Sequence, residues 1–227
     1  MIQYYLTTTP VASLIFALTI GLSIYVFSNP QWFEKLMLHP YSVTRDKSKW
    51  YLILTSGLIH KDWMHLIFNM ITFYYFGFGL EQIFLEISGP MGHLLFALLY
   101  IISLVLSDIP TVIRHKDHFG YHSLGASGAI SAVLFSYILF NPKMMLGIFM
   151  IIPMPAYIFA FVYLGYCIWA SKNSNDGINH DAHLFGALTG LLFTIITYPW
   201  IIKHFIAQFY NLFLMFFIYT CCPLIGH

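Results

Sequence analysis

The chain has 227 residues, of which 59% are hydrophobic, 19% aromatic and only 8% charged, and its formal net charge is +1. Soluble domains average about 25% charged residues, so this is the composition of a multi-spanning membrane protein. It leaves no basic patch for nucleic acid and no phosphate-cradling glycine loop, and at about 20 residues per crossing six or seven spans use nearly all of it as one domain.

The first thirty residues hold no lysine or arginine. They lack the basic n-region of a cleaved signal peptide, so Val11 to Ser28 reads as a retained first span in a chain expected to begin at Met1. From Asn29-Pro30 onward, Lys35, Arg45, Lys47 and Lys49 mingle with Trp32, Phe33 and Trp50. Tryptophan rings and lysine stems favour the headgroup region, so this stretch reads as interfacial. Tyr51 to Ile59 is apolar but too short to cross. The second span is expected from about Asp62 to Phe84 and the third from Met91 to Leu106. Ser107 to Ser123, with Pro110, Arg114, Lys116, Asp117 and three histidines, reads as a loop. Span four runs from Leu124 to Phe140. Met144 to Met154 reads as a loop, and Pro155 to Ala170 as span five with Pro155 in its first turn. Ser171 to Asn179 reads as a flexible surface loop. Span six runs from His180 to about Trp200, and Phe205 to Thr220 is a short seventh span or an interfacial helix. Three cysteines, Cys167, Cys221 and Cys222, show no framework spacing.

Adjacent spans alternate in direction, so spans two, four and six enter the membrane from one face. His65 and Asn69 fall in the first two turns of span two, Ser127 in the first turn of span four, and His183 in the first turn of span six. All four share a depth. Polar side chains in a span face the bundle interior or a wet cavity, so these four are expected to converge. A serine hydroxyl needs a base within hydrogen-bond reach to act as a nucleophile, and His183 is the candidate. His183, Gly186 and Gly190 share one helical stripe, and the glycines are spaced for close helix packing. Gly125 and Gly128 flank Ser127 with open space. His65 and Asn69, four residues apart, share a face from which both can donate to an oxyanion.

Three motifs carry a resemblance to the rhomboid family of intramembrane serine proteases over roughly Trp50 to Gly190. The run His60 to Met70 (HKDWMHLIFNM), followed by Phe76-Gly77 and Glu81, looks like the family's second span. Gly125-Ala126-Ser127-Gly128 is similar to its GxSG motif, and Ala182-His183 with Gly186 and Gly190 to its sixth-span base motif. The resemblance implies an all-α polytopic bundle with a six-span core. It implies a protease domain over 1–203, with a core at about 50–200, and a hydrophobic segment over 204–227. It implies Ser127 as nucleophile, His183 as general base, and His65, Asn69 and the Ser127 backbone N–H as oxyanion donors, with Gly125, Gly128, Gly186, Gly190, His60 and Glu81 in structural support. No catalytic carboxylate, metal or cofactor is implied, and Asp181 points away from the face of the base. Substrates are expected to be single-span membrane proteins reached through the lipid bilayer, with span five as the gate. Four residues after the nucleophile, where the family commonly places an aromatic that packs on the base, this chain has Ser131. A stacking partner therefore comes from elsewhere or is missing.

Other readings stand beside this one. Small residues in a span also serve as packing surfaces, and His65 with Asn69 as interhelical hydrogen-bond glue. Glu81 is expected to hydrogen-bond the next loop. Loop histidines 115, 118 and 122 are solvated or hold a metal. The alternative function is a non-catalytic membrane protein that binds client helices, or one whose histidines bind metal or haem. Orientation has two opposed indications. The resemblance implies a site open to the exterior or periplasm of a bacterial-type inner membrane, whereas the excess of lysine and arginine on the site face points the mouth to the cytoplasm.

Overall fold

The computed structural model describes residues 2–148 and 152–209. Helices α1 (Ile2–Thr8) and α2 (Pro10–Ser28) are followed by three short helices, α3 (Phe33–Leu36), α4 (Pro40–Arg45) and α5 (Leu52–Thr55). Then come α6 (Trp63–Ser88), α7 (Met91–His115) and α8 (Ser127–Phe140), a hairpin of β1 (Met145–Ile148) and β2 (Ile152–Pro155), and helices α9 (Ala156–Asn173) and α10 (His180–Thr197). A last described helix, α11 (Ile201–Phe209), turns 107° away from α10. By length and apolar composition α2 and α7 qualify as membrane crossings. The proposed seventh span lies mostly outside the described residues. What is described of it does not continue α10, since α11 folds back so that His204 Nε2 meets the Phe140 carbonyl at 3.1 Å.

Helix boundaries follow local chemistry. Asp62 accepts a hydrogen bond from the His65 N–H at 2.8 Å and caps α6. Asn179 does the same for α10 through the Ala182 N–H at 3.0 Å. Pro155 stands one residue outside α9 as its N-cap, not inside its first turn, and the preceding stretch expected to be a loop is the β hairpin, paired Met145 with Pro155 through Ile148 with Ile152.

The largest departure concerns α7, which continues through Pro110 to His115. Proline removes one backbone hydrogen bond and usually ends a helix. Here the polar side chains that mimic a loop face the bundle. Thr111 Oγ1 donates to Asn179 Oδ1 at 3.0 Å, Arg114 reaches the Ser171 carbonyl at 3.0 Å and Asp181 at 2.5 Å, and Ser107 is buried. The chain between Asn29 and Leu58 is a string of short helices, with exposed Trp50 and with Lys35 lying over the Trp32 ring at 4.7 Å, as an interfacial segment requires.

The core fills the space between α2, α6, α7, α8 and α10 with Phe73, Phe84, Phe96, Leu99 and Tyr100. Glu81, wholly buried, accepts from the Val11 and Ala12 N–H groups at 3.1 and 2.6 Å and meets His93 Nδ1 at 2.6 Å. A carboxylate at the positive N-terminal end of α2 is favourable, and it ties α2 to α6 and α7. Its partners are thus two helix starts and not the next loop. It stands sixteen residues, about 24 Å of helix, beyond His65, far from the residues it was expected to support.

The closest approach in the bundle joins α8 to α10. A Cβ on Gly186 would overlap the Gly128 carbonyl, and one on Gly190 would lie 2.6 Å from the Ala132 Cα. Neither space exists. Gly165 on α9, by contrast, has nothing within 4 Å of a Cβ. Gly190→Ala is therefore expected to destabilise the fold by about 1–3 kcal/mol through overpacking, whereas Gly165→Ala is neutral or stabilises by up to about 1 kcal/mol. Thermal unfolding midpoints of the detergent-purified variants check the contrast, and equal effects would disprove the tight contact.

Candidate active site

The starts of α6, α8 and α10 face one cavity of about 1110 Å³, whose lining includes His65, Asn69, Ser127, Tyr163, His180 and His183. All four residues predicted to converge therefore do so, from three helices.

Ser127 is the first residue of α8, and the chain leading to it is held by backbone contacts rather than by packing alone. Ser123 exchanges two hydrogen bonds with Leu38, the Gly125 N–H donates to the Ser56 carbonyl at 2.9 Å, and the Ala126 N–H donates to His60 Nε2 at 3.4 Å. His60 Nδ1 meets Ser23 Oγ at 3.0 Å. Because Nε2 accepts, Nδ1 carries the ring proton and donates to Ser23. Gly125 has φ +121°, a backbone region that other residues rarely enter, and a Cβ there would lie 2.5 Å from the His65 ring. Gly125 thus turns the chain and lets His65 lie against it. Gly128 is equally constrained, since a Cβ would overlap Ser107 Oγ.

The expected oxyanion donors sit differently from one another. His65 Nδ1 is buried with no hydrogen-bond partner. Asn69 Nδ2 donates to the His65 carbonyl at 2.9 Å, which leaves its second N–H for the cavity. No hydrogen bond joins Ser127 Oγ to His183 among the described residues. Asp181 pairs with Arg114 at 2.5 Å, so its carboxylate is engaged away from His183, as its place two residues before that histidine predicts.

The missing aromatic is supplied from another helix. Tyr163 on α9 stacks on His183, with ring centroids 6.3 Å apart and planes 16° from parallel, and its hydroxyl meets Ser131 Oγ at 2.7 Å. Ser131 thus holds the ring that its own position lacks. Nothing in the sequence flagged Tyr163, because its partners lie thirty-two and twenty residues away in the chain. His180 was also missed, although its place three residues before His183 on a helix start was a readable signal. Histidines 115, 118 and 122 form no metal-capable set among the described residues. His122 stacks on His39 with centroids 4.4 Å apart, and His115 on Tyr121 at 3.6 Å. The metal-capable set among the described residues is instead Cys167, His180 and His183.

The Rhomboid domain family model matches residues 47–200, which include every residue of the cavity named above. The chain belongs to the rhomboid family. It is 28% identical over 167 residues to "RHOMBOID-like protein 12, mitochondrial" of Arabidopsis thaliana, covering 68% of this chain and 49% of that protein. It is 28% identical over 161 residues to "Putative rhomboid protease YdcA" of Bacillus subtilis (strain 168), covering 69% of this chain and 71% of that protein. The chain thus spans about half the length of the plant relative. Family membership and the apolar helices together make this rhomboid an integral membrane protein.

His60 gives the site of this rhomboid a pH limit. Burial holds its pKa down at about 3, against an ordinary 6.5, so it is neutral in the fold and protonates in the unfolded chain first. Its contribution to stability is present above pH 6.5 and is lost as pH falls from 6.5 toward 3, at up to about 1.4 kcal/mol per pH unit. Unfolding free energies across pH 7 to 4 are expected to fall less steeply in His60→Gln than in the wild type. Parallel slopes would show that His60 is not the group responsible.

Proposed function

We propose that this rhomboid is an intramembrane serine endopeptidase that cuts membrane-anchored protein substrates with Ser127 and His183. The observation that carries the reading is the arrival of Ser127, His183, His65 and Asn69 at one cavity from three helices. In this reading α2, α6, α7, α8, α9 and α10 are six crossings of the protease domain at 1–203. Helix α8 has 14 residues, about 21 Å, too short for a hydrocarbon core of about 30 Å. Ser127 then starts its helix below the membrane surface, and the cavity above it admits water.

The chemistry uses groups already in place. Ser127 Oγ attacks the substrate carbonyl carbon while His183 takes the hydroxyl proton. The negative charge that develops on the carbonyl oxygen is met by His65, by the free N–H of Asn69 and by the backbone N–H of Ser127. Collapse breaks the peptide C–N bond, and His183 gives its proton to the leaving amine. Water then attacks the acyl-serine with His183 again as base, which releases the acid and restores Ser127. A carboxylate is not required, since Asp181 is committed to Arg114 and Asp176 to His180. Helix α9 is the gate in this reading. It buries only Ala156, Cys167 and Ala170, and the cavity is lined on one side by Phe68 and Thr72 of α6 and on the other by Phe159 and Tyr163 of α9.

Labelling of the detergent-purified protein by a fluorophosphonate probe is expected in the wild type and absent in Ser127→Ala and His183→Ala at matched folding. An unlabelled, well-folded wild type would overturn the proposal. In the same assay Tyr163→Ala is expected to slow labelling by about 2- to 10-fold, the rate equivalent of a 0.5–1.5 kcal/mol aromatic contact, and Tyr163→Phe by less. Equal rates in all three proteins would remove Tyr163 from the support of the base.

A further inference from the structure

Cys167 on α9 and His180 and His183 on α10 bring the sulfur and one nitrogen of each ring within 4.8 Å of one another. The thiol is free and buried. His180 is 4% exposed, its Nε2 faces the Asp176 carboxylate at 3.1 Å, and its Nδ1 is buried with no hydrogen-bond partner. An unpartnered ring nitrogen inside a protein is costly unless something binds it. A histidine with one nitrogen on a carboxylate and the other free, within reach of a thiol and a second imidazole, has the donor set of a metal ligand with its outer support. The Tyr166 ring stands edge-on to His180 at 5.4 Å.

We propose that Cys167, His180 and His183 form a regulatory site for a zinc-class divalent ion, with Asp176 orienting His180. One thiolate and two imidazoles suit a borderline-soft ion, whereas magnesium and calcium demand oxygen. Zinc bonded at about 2.3 Å to sulfur and about 2.0 Å to nitrogen separates tetrahedral ligands by roughly 3.3–3.6 Å, so the three atoms close in by about 1 Å. On binding, the Cys167 thiol releases its proton to solvent and both imidazoles coordinate in their neutral forms.

The consequence rests on the reading of His183 as the base. Neutral imidazole has one lone pair. Whichever nitrogen of His183 meets the ion, the other is an N–H and cannot accept the serine proton. The same ion joins α9 to α10, so it removes the base and fastens the gate together. Asp181 plays no part in this, being paired with Arg114.

The test uses Co²⁺ as a visible stand-in and Zn²⁺ as the effector, on full-length protein carrying Cys221→Ser and Cys222→Ser so that Cys167 is the one remaining thiol. Expected are one Co²⁺ per chain with a thiolate-to-metal charge-transfer band, loss of that band in Cys167→Ser, and a 10- to 100-fold weaker affinity in Asp176→Asn. Fluorophosphonate labelling is expected to fall at least 10-fold with Zn²⁺ and to recover with chelator. In Cys167→Ser the ratio of zinc-treated to untreated rates stays near one. No charge-transfer band in folded protein, or zinc inhibition that persists in folded Cys167→Ser, overturns the site. A band without any serine labelling keeps the metal site and sinks the protease reading instead.

Discussion

The backbone contact between α8 and α10 is the constraint on which the site depends. His183, Gly186 and Gly190 lie on one stripe of α10, so the face that carries the expected base is also the face that carries no side chain at two successive turns. Those two gaps receive the carbonyls of Gly128 and Ala132. Within lipid there is little hydrophobic force to draw one helix to another, so such contacts and polar pairs hold the bundle. Ser136 and Thr194, hydroxyl to hydroxyl at 2.5 Å, secure the same interface deeper in the protein. A bulkier stripe would part the helices, and Ser127 and His183 would no longer share a cavity.

Around that contact, polar side chains act as pins that fix the loops on which the chemistry rests. Asn179 makes three bonds. It accepts from Ala182 and Thr111 and donates to Ser123, so one side chain joins the start of α10, the end of α7 and the chain leading to Ser127. His60 joins α2 to the Ala126 backbone, and Glu81 joins α2 to α6 and α7 at the opposite end. His60 and Glu81 are buried and Asn179 is half-buried, so each would be costly unpaired, which makes the pairings specific to one arrangement. Helix α2 thereby supports the site without contributing to it.

Much of this was legible because the informative residues are local. The expected span starts near Asp62 and at His180 fall where α6 and α10 begin, and the small-residue motifs name both sides of the α8–α10 contact before any fold is known. The continuation of α7 beyond Leu106 was not legible. Ser107, Thr111 and Arg114 are polar in the way a loop is polar, and only the presence of Asn179, Ser171 and Asp181 across the bundle shows that they face inward. Tyr163 was hidden for a related reason. Sequence places an aromatic relative to its own helix, but whether it covers His183 depends on how α9 leans against α8 and α10.

That lean has a consequence for the coupling of access and chemistry. Tyr163, Cys167 and Ala170 occupy one stripe of α9 and face inward, while Phe161, Val162, Ile168 and Trp169 are exposed on the remaining surface, at 74, 53, 51 and 57%. The helix touches the bundle through this stripe and through Ala156, Phe159 and Leu164, which pack with Leu134, Phe135 and Ile138. Tyr163 is held by a hydrogen bond to Ser131 on α8, and its ring lies on His183. If α9 is the gate, as proposed, an outward displacement large enough to admit a substrate helix must either break that bond and uncover His183, or leave Tyr163 behind by rotating it about its own side chain. In both cases the proposed reading ties the orientation of His183 to the position of α9. In the proposed reading, a stacking residue on α9 in place of one on α8 makes the support of His183 move with substrate access.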